Sequence, residues 1–245
     1  MPEHVSSSFA PGAADLLPAY WGRMATTAFA SPDAILFDLD GVLVDSRDAF
    51  ARSVNAALAA HGVAARPDDE LHPFIGPPLH STFELLLGER VGEPGLVEAC
   101  VGAYRERYGE FAAGETLVVP GIADLLERLA ARVPLVVATS KAAVLAEPLL
   151  EALGLRRHFA AVTGPSLAAR SEDKAATVGR ALETLPGAER PVMVGDRRFD
   201  VIGAAAHGVA CVGVLWGIGS EQELREAGAA AIVRDPDELS ELLAA

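Results

Sequence analysis

The sequence is poor in cysteine and has no apolar run long enough to span a membrane. Cys100 and Cys211 are its only cysteines, and their separation is not one that binds a metal. We expect two buried free thiols and a reducing compartment, the cytoplasm. The N-terminal stretch also lacks the basic and apolar regions of a secretory signal. These absences argue against a disulfide-stapled secreted domain, and no membrane partner is expected.

Basic residues are also scarce. Lysine and arginine together number 20, against 34 aspartates and glutamates, which gives a formal net charge of -14. This excess of negative charge argues against a nucleic-acid partner, because such partners are bound through basic patches. An anionic ligand therefore needs a local positive site. Only two of the basic residues are lysines, Lys141 and Lys174, so each is a candidate for that site.

The order of the apolar patterns predicts an α/β fold with a doubly wound parallel sheet. Short apolar runs that are typical of buried strands alternate with helical patterns, and they occur at residues 34–37, 135–138, 159–163, 191–194, 210–215 and 231–233. Strands that alternate with helices form a parallel sheet covered on both faces. With 51% hydrophobic residues, the chain can bury a full core.

One segment interrupts this alternation. Between residues 46 and 116 the apolar residues recur only at helical spacing, as in Phe50, Val54 and Leu58. We call residues 46–116 the helical insertion and expect the α/β core to comprise residues 32–45 and 117–245. Residues 1–31 are expected to be a poorly structured extension with at most one short helix, and Met24 is an alternative start to Met1.

Charge is concentrated where the first predicted strand ends. The apolar run leads directly into Asp38, Asp40 and Gly41. Two neighbouring carboxylates at a buried strand end repel each other, so a cation is needed to compensate them. Mg²⁺ suits this position, because it binds carboxylate and carbonyl oxygens and keeps water that a phosphate can replace. Gly41 would permit a tight backbone turn there.

Polar residues follow three of the predicted strands. The first strand ends at Asp38, a second is followed by the hydroxyl and lysine residues 139–141, and a third by the acidic segment 196–200. In open α/β sheets the ligand crevice lies beyond the carboxyl ends of the strands. We therefore expect these side chains to meet at one edge of the sheet.

These motifs resemble those of the haloacid dehalogenase-like hydrolases. The Asp38-x-Asp40-Gly41 pattern is similar to their first motif, and Asp196-x-x-x-Asp200 to their fourth. Residues 164–174, 194–204 and 214–217 further resemble the phosphoglycolate phosphatase-like branch. The resemblance implies a Mg²⁺-dependent phosphatase for a small phosphorylated metabolite, with the helical insertion acting as a cap over the site.

The resemblance also implies roles for the carboxylates. Asp38 would attack phosphorus and form an aspartyl-phosphate, which splits one difficult hydrolysis into two easier displacements. Asp40 would give a proton to the leaving oxygen and then take one from water, or alternatively would only bind metal. Asp38, Asp40 and Asp196 are the expected Mg²⁺ ligands. Asp200 would bind the metal through water or orient its neighbours.

Four residues are expected to bind the phosphoryl group. Thr139 matches the hydroxyl of the family's second motif, Ser140 is its neighbour, and Gly41 lets the backbone approach. Lys174 matches the lysine of the third motif, because a compact ammonium can contact Asp38 and the phosphoryl group together. The simpler alternatives are a threonine that caps the following helix and a lysine on a helix surface.

Substrate recognition is less well defined by the pattern. Lys141 is a candidate for the edge of the site, and the insertion offers residues 74–79, Arg105 and Arg107. The alternatives to a phosphoglycolate-like substrate are a 5′-nucleotidase-type or biosynthetic-pathway phosphatase and a sugar-phosphate phosphomutase. A mutase typically needs a lysine in the cap, and the insertion has none. A non-catalytic binding protein on this fold is a further alternative, and the oligomeric state is unknown.

Overall fold

The computed structural model describes residues 31–169 and 172–244. Six parallel strands form a central sheet in the order β5-β4-β1-β6-β7-β8, and two further strands pair separately. The predicted extension lies outside the described residues except for its last one. In chain order the strands are β1 (Ala34–Phe37), β2 (Val44–Asp45), β3 (Leu117–Val118), β4 (Leu135–Ala138), β5 (Ala161–Thr163), β6 (Pro191–Gly195), β7 (Ala210–Val214) and β8 (Ala231–Val233).

Helices connect these strands. No helix in the described residues is long and apolar enough to cross a membrane. In chain order they are α1 (Arg47–Ala60), α2 (Asp68–Leu71), α3 (Leu79–Leu86), α4 (Leu96–Glu115), α5 (Ile122–Ala130), α6 (Ala143–Ala152), α7 (Lys174–Glu183), α8 (Arg198–Ala205), α9 (Glu221–Ala227) and α10 (Pro236–Ala244).

The side chains of the sheet alternate between two apolar layers. Ile35 and Phe37 of β1 belong to one layer, together with buried residues of α5, α6 and α10. Ala34 and Leu36 belong to the other, together with buried residues of α7, α8 and α9. Successive strand residues point to opposite faces, so the sheet is covered on both sides. The predicted doubly wound α/β class is confirmed.

Between β2 and β3 the chain is helical, with α1 to α4 and two short 3₁₀ segments. Helices α1 and α4 pack against each other there, and the ring of Tyr104 contacts those of Phe50 and Tyr108 at centroid distances of 5.7 and 5.5 Å. Strands β2 and β3 pair antiparallel at the two ends of this segment. The sequence did not predict this ribbon, because strands of two residues are too short to show alternation.

Three strand boundaries differ from the prediction. The strand expected at residues 159–163 is Ala161–Thr163, because Arg156–His158 forms a 3₁₀ turn that ends at Phe159. The strand expected at residues 210–215 ends at Val214, and the strand expected at residues 191–194 extends to Gly195. All three strands still run parallel to their neighbours, so the carboxyl ends that carry the candidate site residues share one edge.

Candidate active site

Asp38 follows the central strand and lies between the ends of two neighbouring strands. Its backbone N–H donates to the carbonyl of Val194 in β6 at 2.9 Å, which continues the sheet by one residue. The side chain is only 6% exposed. Burial raises the pKa of Asp38 to about 6, although Lys174 acts in the opposite direction. A carboxylate in this position needs cationic partners to stay ionised.

Lys174 supplies one such partner. Its Nζ lies 2.8 Å from Asp38 Oδ1 and 2.7 Å from Asp200 Oδ1, and the side chain is 3% exposed. A Cβ atom on Gly203 would lie 2.9 Å from the Lys174 side chain, so only glycine leaves room for it. Burial acts to lower the pKa of Lys174, but the two carboxylates outweigh it and raise the pKa above its ordinary value.

Three carboxylates share this buried region with the one ammonium. Asp38, Asp196 and Asp200 each offer an oxygen, and these oxygens lie within 4.8 Å of one another. Asp196 Oδ2 accepts a hydrogen bond of 2.7 Å from the N–H of Ile218. Asp196 Oδ1 is buried and has no hydrogen-bond partner among the described residues. Burial and the adjacent carboxylates raise the pKa of Asp196 well above its ordinary value. This donor set, with its orphaned oxygen, suits a divalent cation.

Glycines make room for Asp196. Gly41 has φ of +82°, and a Cβ atom there would lie 2.2 Å from Asp196 Oδ2. A Cβ atom on Gly217 would lie 2.3 Å from the same oxygen. The indole N–H of Trp216 donates to the carbonyl of Val42 at 3.0 Å, which ties the loop after β7 to the turn that contains Gly41. Gly41 therefore serves the acidic cluster as well as the turn expected from the sequence.

Thr139 and Ser140 lie at the end of β4 and line the same pocket as Asp38. Thr139 is buried, and its Oγ1 accepts a hydrogen bond of 3.1 Å from the N–H of Lys141. The Thr139 hydroxyl proton remains available to a ligand oxygen, because accepting that bond does not use it. Ser140 is partly exposed.

Asp40 belongs to a different group of side chains. Its Oδ1 accepts hydrogen bonds from Ser46 Oγ at 2.5 Å and from Lys141 Nζ at 2.6 Å. The Asp40 side chain is not part of the three-carboxylate cluster. Ser46 directly precedes α1, but its side chain makes no capping bond and instead donates to Asp40. A hydrogen bond to an ionised carboxylate is stronger than one between neutral groups, which explains why the Ser46 hydroxyl binds Asp40 and makes no capping bond.

A pocket separates these residues from the helical insertion. It contains about 890 Å³ of empty space, part of it open to solvent, and its apolar wall includes Phe50, Phe74 and Leu79. Arg105 also lines the pocket, and its Nε is buried without a hydrogen-bond partner among the described residues. Arg107, the other arginine suggested by the sequence, is exposed and pairs with a glutamate of its own helix, so it does not line this pocket.

Arg197 connects the acidic edge of the sheet to the insertion. Its Nη1 donates to the carbonyl of Ile75 at 2.6 Å, and its Nε donates to Glu223 Oε1 at 3.0 Å. The sequence gives no sign of this contact, because Arg197 falls between Asp196 and Asp200 and no pattern distinguishes it from Arg198. Lys141, predicted at the edge of the site, lines the pocket and donates to Asp40.

Comparisons with known proteins identify relatives of this chain. The family model described as haloacid dehalogenase-like hydrolase matches residues 35–214. A 5′-nucleotidase of Pseudomonas aeruginosa is 42% identical, over 78% of this chain and 86% of its own. The tyrosine-protein kinase PtkA of Mycobacterium tuberculosis is 38% identical, over 80% of this chain and 67% of its own. A phosphoglycolate phosphatase of Agrobacterium fabrum is 37% identical, over 76% of this chain and 82% of its own.

Solved structures include chains with a similar fold. The crystal structure of a predicted phosphatase from Clostridium acetobutylicum superposes with a TM-score of 0.80 at 34% identity, covering 86% of this chain and 98% of that one. Because the family model spans residues 35–214 and several relatives exceed 30% identity over most of their length, the chain belongs to the haloacid dehalogenase-like hydrolases.

Proposed function

We propose that this protein is a Mg²⁺-dependent phosphatase that hydrolyses a small phosphomonoester through an aspartyl-phosphate on Asp38. The observation that carries the proposal is the position of Lys174 Nζ, within 2.8 Å of Asp38 and 2.7 Å of Asp200, in a cluster that also contains Asp196. Asp38 of this cluster also lines the pocket beneath the insertion, where a substrate can reach it. The names of several relatives support phosphate chemistry.

In the first step, a carboxylate oxygen of Asp38 attacks phosphorus as the bond to the leaving oxygen breaks. Lys174 offsets the negative charge of the phosphoryl oxygens, and the Thr139 hydroxyl and the backbone near Gly41 donate hydrogen bonds to them. Ser140, beside Thr139 in the pocket, is proposed as a further donor. Fixed donors of this kind stabilise charge that develops in the transition state without reorganising.

Asp40 is proposed to transfer the protons. It gives a proton to the leaving oxygen in the first step, so the alcohol departs neutral. In the second step it takes a proton from water, whose oxygen attacks phosphorus while the bond between phosphorus and Asp38 breaks. Phosphate leaves and Asp38 is restored, so atoms and charges balance over the cycle. Asp40 lines the pocket, where such a water and alcohol must lie.

The acidic cluster is proposed to hold the Mg²⁺. Asp38 and Asp196 would bind it directly, and Asp200 would orient Lys174 and its neighbours. Asp40 stays a predicted ligand, although its side chain is not part of the three-carboxylate cluster. The orphaned Oδ1 of Asp196 supports this assignment, since a buried carboxylate oxygen without a donor is costly unless a cation occupies its place. A bound Mg²⁺ would neutralise phosphoryl charge.

The helical insertion, residues 46–116, is proposed to be a cap domain on a core of residues 32–45 and 117–245. Its helices supply one wall of the pocket, and the ribbon of β2 and β3 lies at the two points where the chain enters and leaves it. A cap in this position excludes water from the phosphoryl group and closes by a hinge. Arg105, whose Nε has no partner among the described residues, is proposed to face an anionic part of the substrate.

The substrate is proposed to be a small phosphorylated metabolite, either phosphoglycolate-like or a nucleoside monophosphate. The phosphoglycolate phosphatase relative supports the first, and the 5′-nucleotidase relative, together with the apolar wall of the pocket, supports the second. A cytoplasmic location stays a prediction, which the two free, buried thiols of Cys100 and Cys211 support.

A phosphate-release screen tests the proposal. Purified protein is assayed with phosphoglycolate, nucleoside monophosphates, sugar phosphates and an aryl phosphate, with Mg²⁺ and with a chelator. We expect Mg²⁺-dependent release from at least one of them. Absence of release from every substrate would contradict the proposal, as would transfer of phosphate from ATP to a tyrosine peptide in the absence of hydrolysis, which would point to the activity named for PtkA.

A further inference from the structure

Lys141 is a largely buried cation outside the acidic cluster. It follows β4, its side chain is 9% exposed, and its Nζ lies 2.6 Å from Asp40 Oδ1. Nζ also lies 2.5 Å from the hydroxyl of Tyr108 and 4.4 Å from the centroid of the Tyr108 ring. The backbone N–H of Lys141 is bound to Thr139 Oγ1. The backbone and the side chain of Lys141 are therefore both held by specific hydrogen bonds. A surface lysine without a specific role is not held in this way.

The bonds to Asp40 are unevenly distributed over its carboxylate. Ser46 Oγ and Lys141 Nζ both donate to Oδ1, at 2.5 and 2.6 Å. No residue in the described part of the chain donates to Oδ2. Two donors on one oxygen fix the plane of a carboxylate and leave the other oxygen as the one that can exchange a proton with a ligand. Asp40 thus presents one oxygen to the pocket that it lines.

Tyr108 brings the helical insertion into this arrangement. It lies on α4, is buried, and stacks on Tyr104 with a centroid distance of 5.5 Å. Lys141 lies on the core, so the bond between Lys141 Nζ and the Tyr108 hydroxyl joins the two parts of the molecule. This bond exists only while α4 lies over the end of β4.

We propose that Lys141 is a positioning residue for Asp40, and that Tyr108 holds Lys141 in place when the insertion covers the site. The inference rests on the proposed function, because it assigns the proton transfer to Asp40. Proton transfer becomes efficient once the insertion is closed, which is also when water is excluded from the phosphoryl group. Lys141 has no direct bond to the phosphoryl group in this scheme.

The leaving group of the substrate provides the test. Protonation of the leaving oxygen accelerates the reaction most when the alcohol is a poor leaving group, as in an alkyl phosphate. It matters least for 2,4-dinitrophenyl phosphate, whose leaving group is already stable as an anion. In rapid-quench experiments we expect Lys141→Met to slow phosphoenzyme formation from an alkyl phosphate about 30-fold and from the dinitrophenyl ester less than about 3-fold. The larger loss is a part of the roughly 10²- to 10⁴-fold that general acid catalysis contributes, because Asp40 itself is still present. An equal loss on both substrates, or a rise in KM alone, would assign Lys141 to phosphoryl binding and overturn the proposal.

Three further variants sharpen this result. Asp40→Asn combined with Lys141→Met should be no slower than Asp40→Asn alone, because the lysine acts through the aspartate. Tyr108→Phe should show the same dependence on the leaving group at a smaller amplitude. Arg107→Met, an exposed change on the same helix as Tyr108, serves as the control and should match the wild type. Additive losses in the double variant would contradict the scheme.

A crystal structure of Lys141→Met separates this inference from the proposed function. We expect the Asp40 carboxylate to rotate or to occupy more than one conformer while the rest of the site is unchanged. An Asp40 that keeps its wild-type orientation would refute the positioning role, whatever the turnover measurements give. If the wild-type protein releases no phosphate from any substrate, the proposed function is contradicted instead. The crystallographic comparison would still show whether Lys141 positions the Asp40 carboxylate.

Discussion

The two lysines of this chain are each paired with an aspartate of the same motif, and the two pairs lie in different surroundings. Lys174 and Asp38 lie deep at the edge of the sheet, among carboxylates supplied by core segments. Lys141 and Asp40 border the pocket, and Tyr108 of the insertion completes that pair. The comparison indicates that the core alone assembles the phosphoryl site, whereas the proton-transfer side depends on the insertion.

The largest expected effect comes from the buried pair. Asp38→Asn keeps the size of the side chain but removes the nucleophile, so we expect kcat to fall at least about 10⁴-fold, as with other lost nucleophiles. Phosphate release and circular dichroism measure activity and folding. Asp48→Asn, an exposed carboxamide change nearby in sequence, should retain wild-type activity. Substantial turnover by Asp38→Asn would contradict the assignment of Asp38 as the nucleophile, and with it the comparison between the two lysine–aspartate pairs.

Loss of the buried ammonium should affect both rate and stability. Lys174→Met leaves the acidic cluster without its internal cation, so in metal-free buffer we expect the free energy of unfolding to fall by about 3 to 5 kcal/mol. We expect kcat to fall about 10² to 10³-fold. Urea unfolding and steady-state kinetics measure the two. Lys174→Arg should recover part of the stability and little of the activity, because a guanidinium does not fit a position made for a point charge.

Metal binding should depend on the buried region and can be measured without turnover. Mg²⁺ at 100 times its Kd should stabilise the wild type by about 2.7 kcal/mol. Asp196→Asn should lose most of this stabilisation, because it changes the carboxylate whose Oδ1 has no hydrogen-bond partner in the described part of the chain. Thermal unfolding with and without Mg²⁺ gives the shift. Equal shifts in both proteins would assign the metal to other groups.

The smallest expected effect concerns the link between the two regions. Arg197 donates to the carbonyl of Ile75 in the insertion and pairs with Glu223 in the core. Arg197→Met should weaken closure, so we expect kcat and KM to change together by about 3 to 10-fold. Arg198→Met, an exposed change at the next position, is the matched control and should have little effect. If Arg197→Met keeps the wild-type kcat and KM, closure of the insertion does not depend on this contact.

The sequence predicted the sheet and the residues at its edge for a simple physical reason. Buried parallel strands consist of continuous apolar runs, and the residues that follow them share one edge of the sheet. Asp38, Thr139, Asp196 and Asp200 were named from this rule together with the family motifs. The assignment of their chemical roles remains a proposal, although the structure brings Asp38, Asp196, Asp200 and Lys174 together.

The remaining contacts depend on tertiary packing that no local pattern records. Ser46 has the sequence position of a helix cap, yet its hydroxyl donates to Asp40. Tyr108 has the spacing of an ordinary core residue of an amphipathic helix, and that spacing does not show that its hydroxyl lies against Lys141 Nζ. Arg197 contacts carbonyl groups of the insertion, and a backbone acceptor leaves no trace in the sequence.

Identification of the phosphorylated residue tests the central claim most directly. The wild-type protein is mixed with substrate and Mg²⁺, quenched in acid during turnover, digested at low pH and examined by mass spectrometry. We predict a phosphate on the peptide that contains Asp38, absent from Asp38→Asn and accumulating in Asp40→Asn supplied with an activated aryl phosphate. Phosphate on another residue, or turnover by the wild type with no phosphorylated peptide under conditions that trap a known aspartyl-phosphate, would contradict the account.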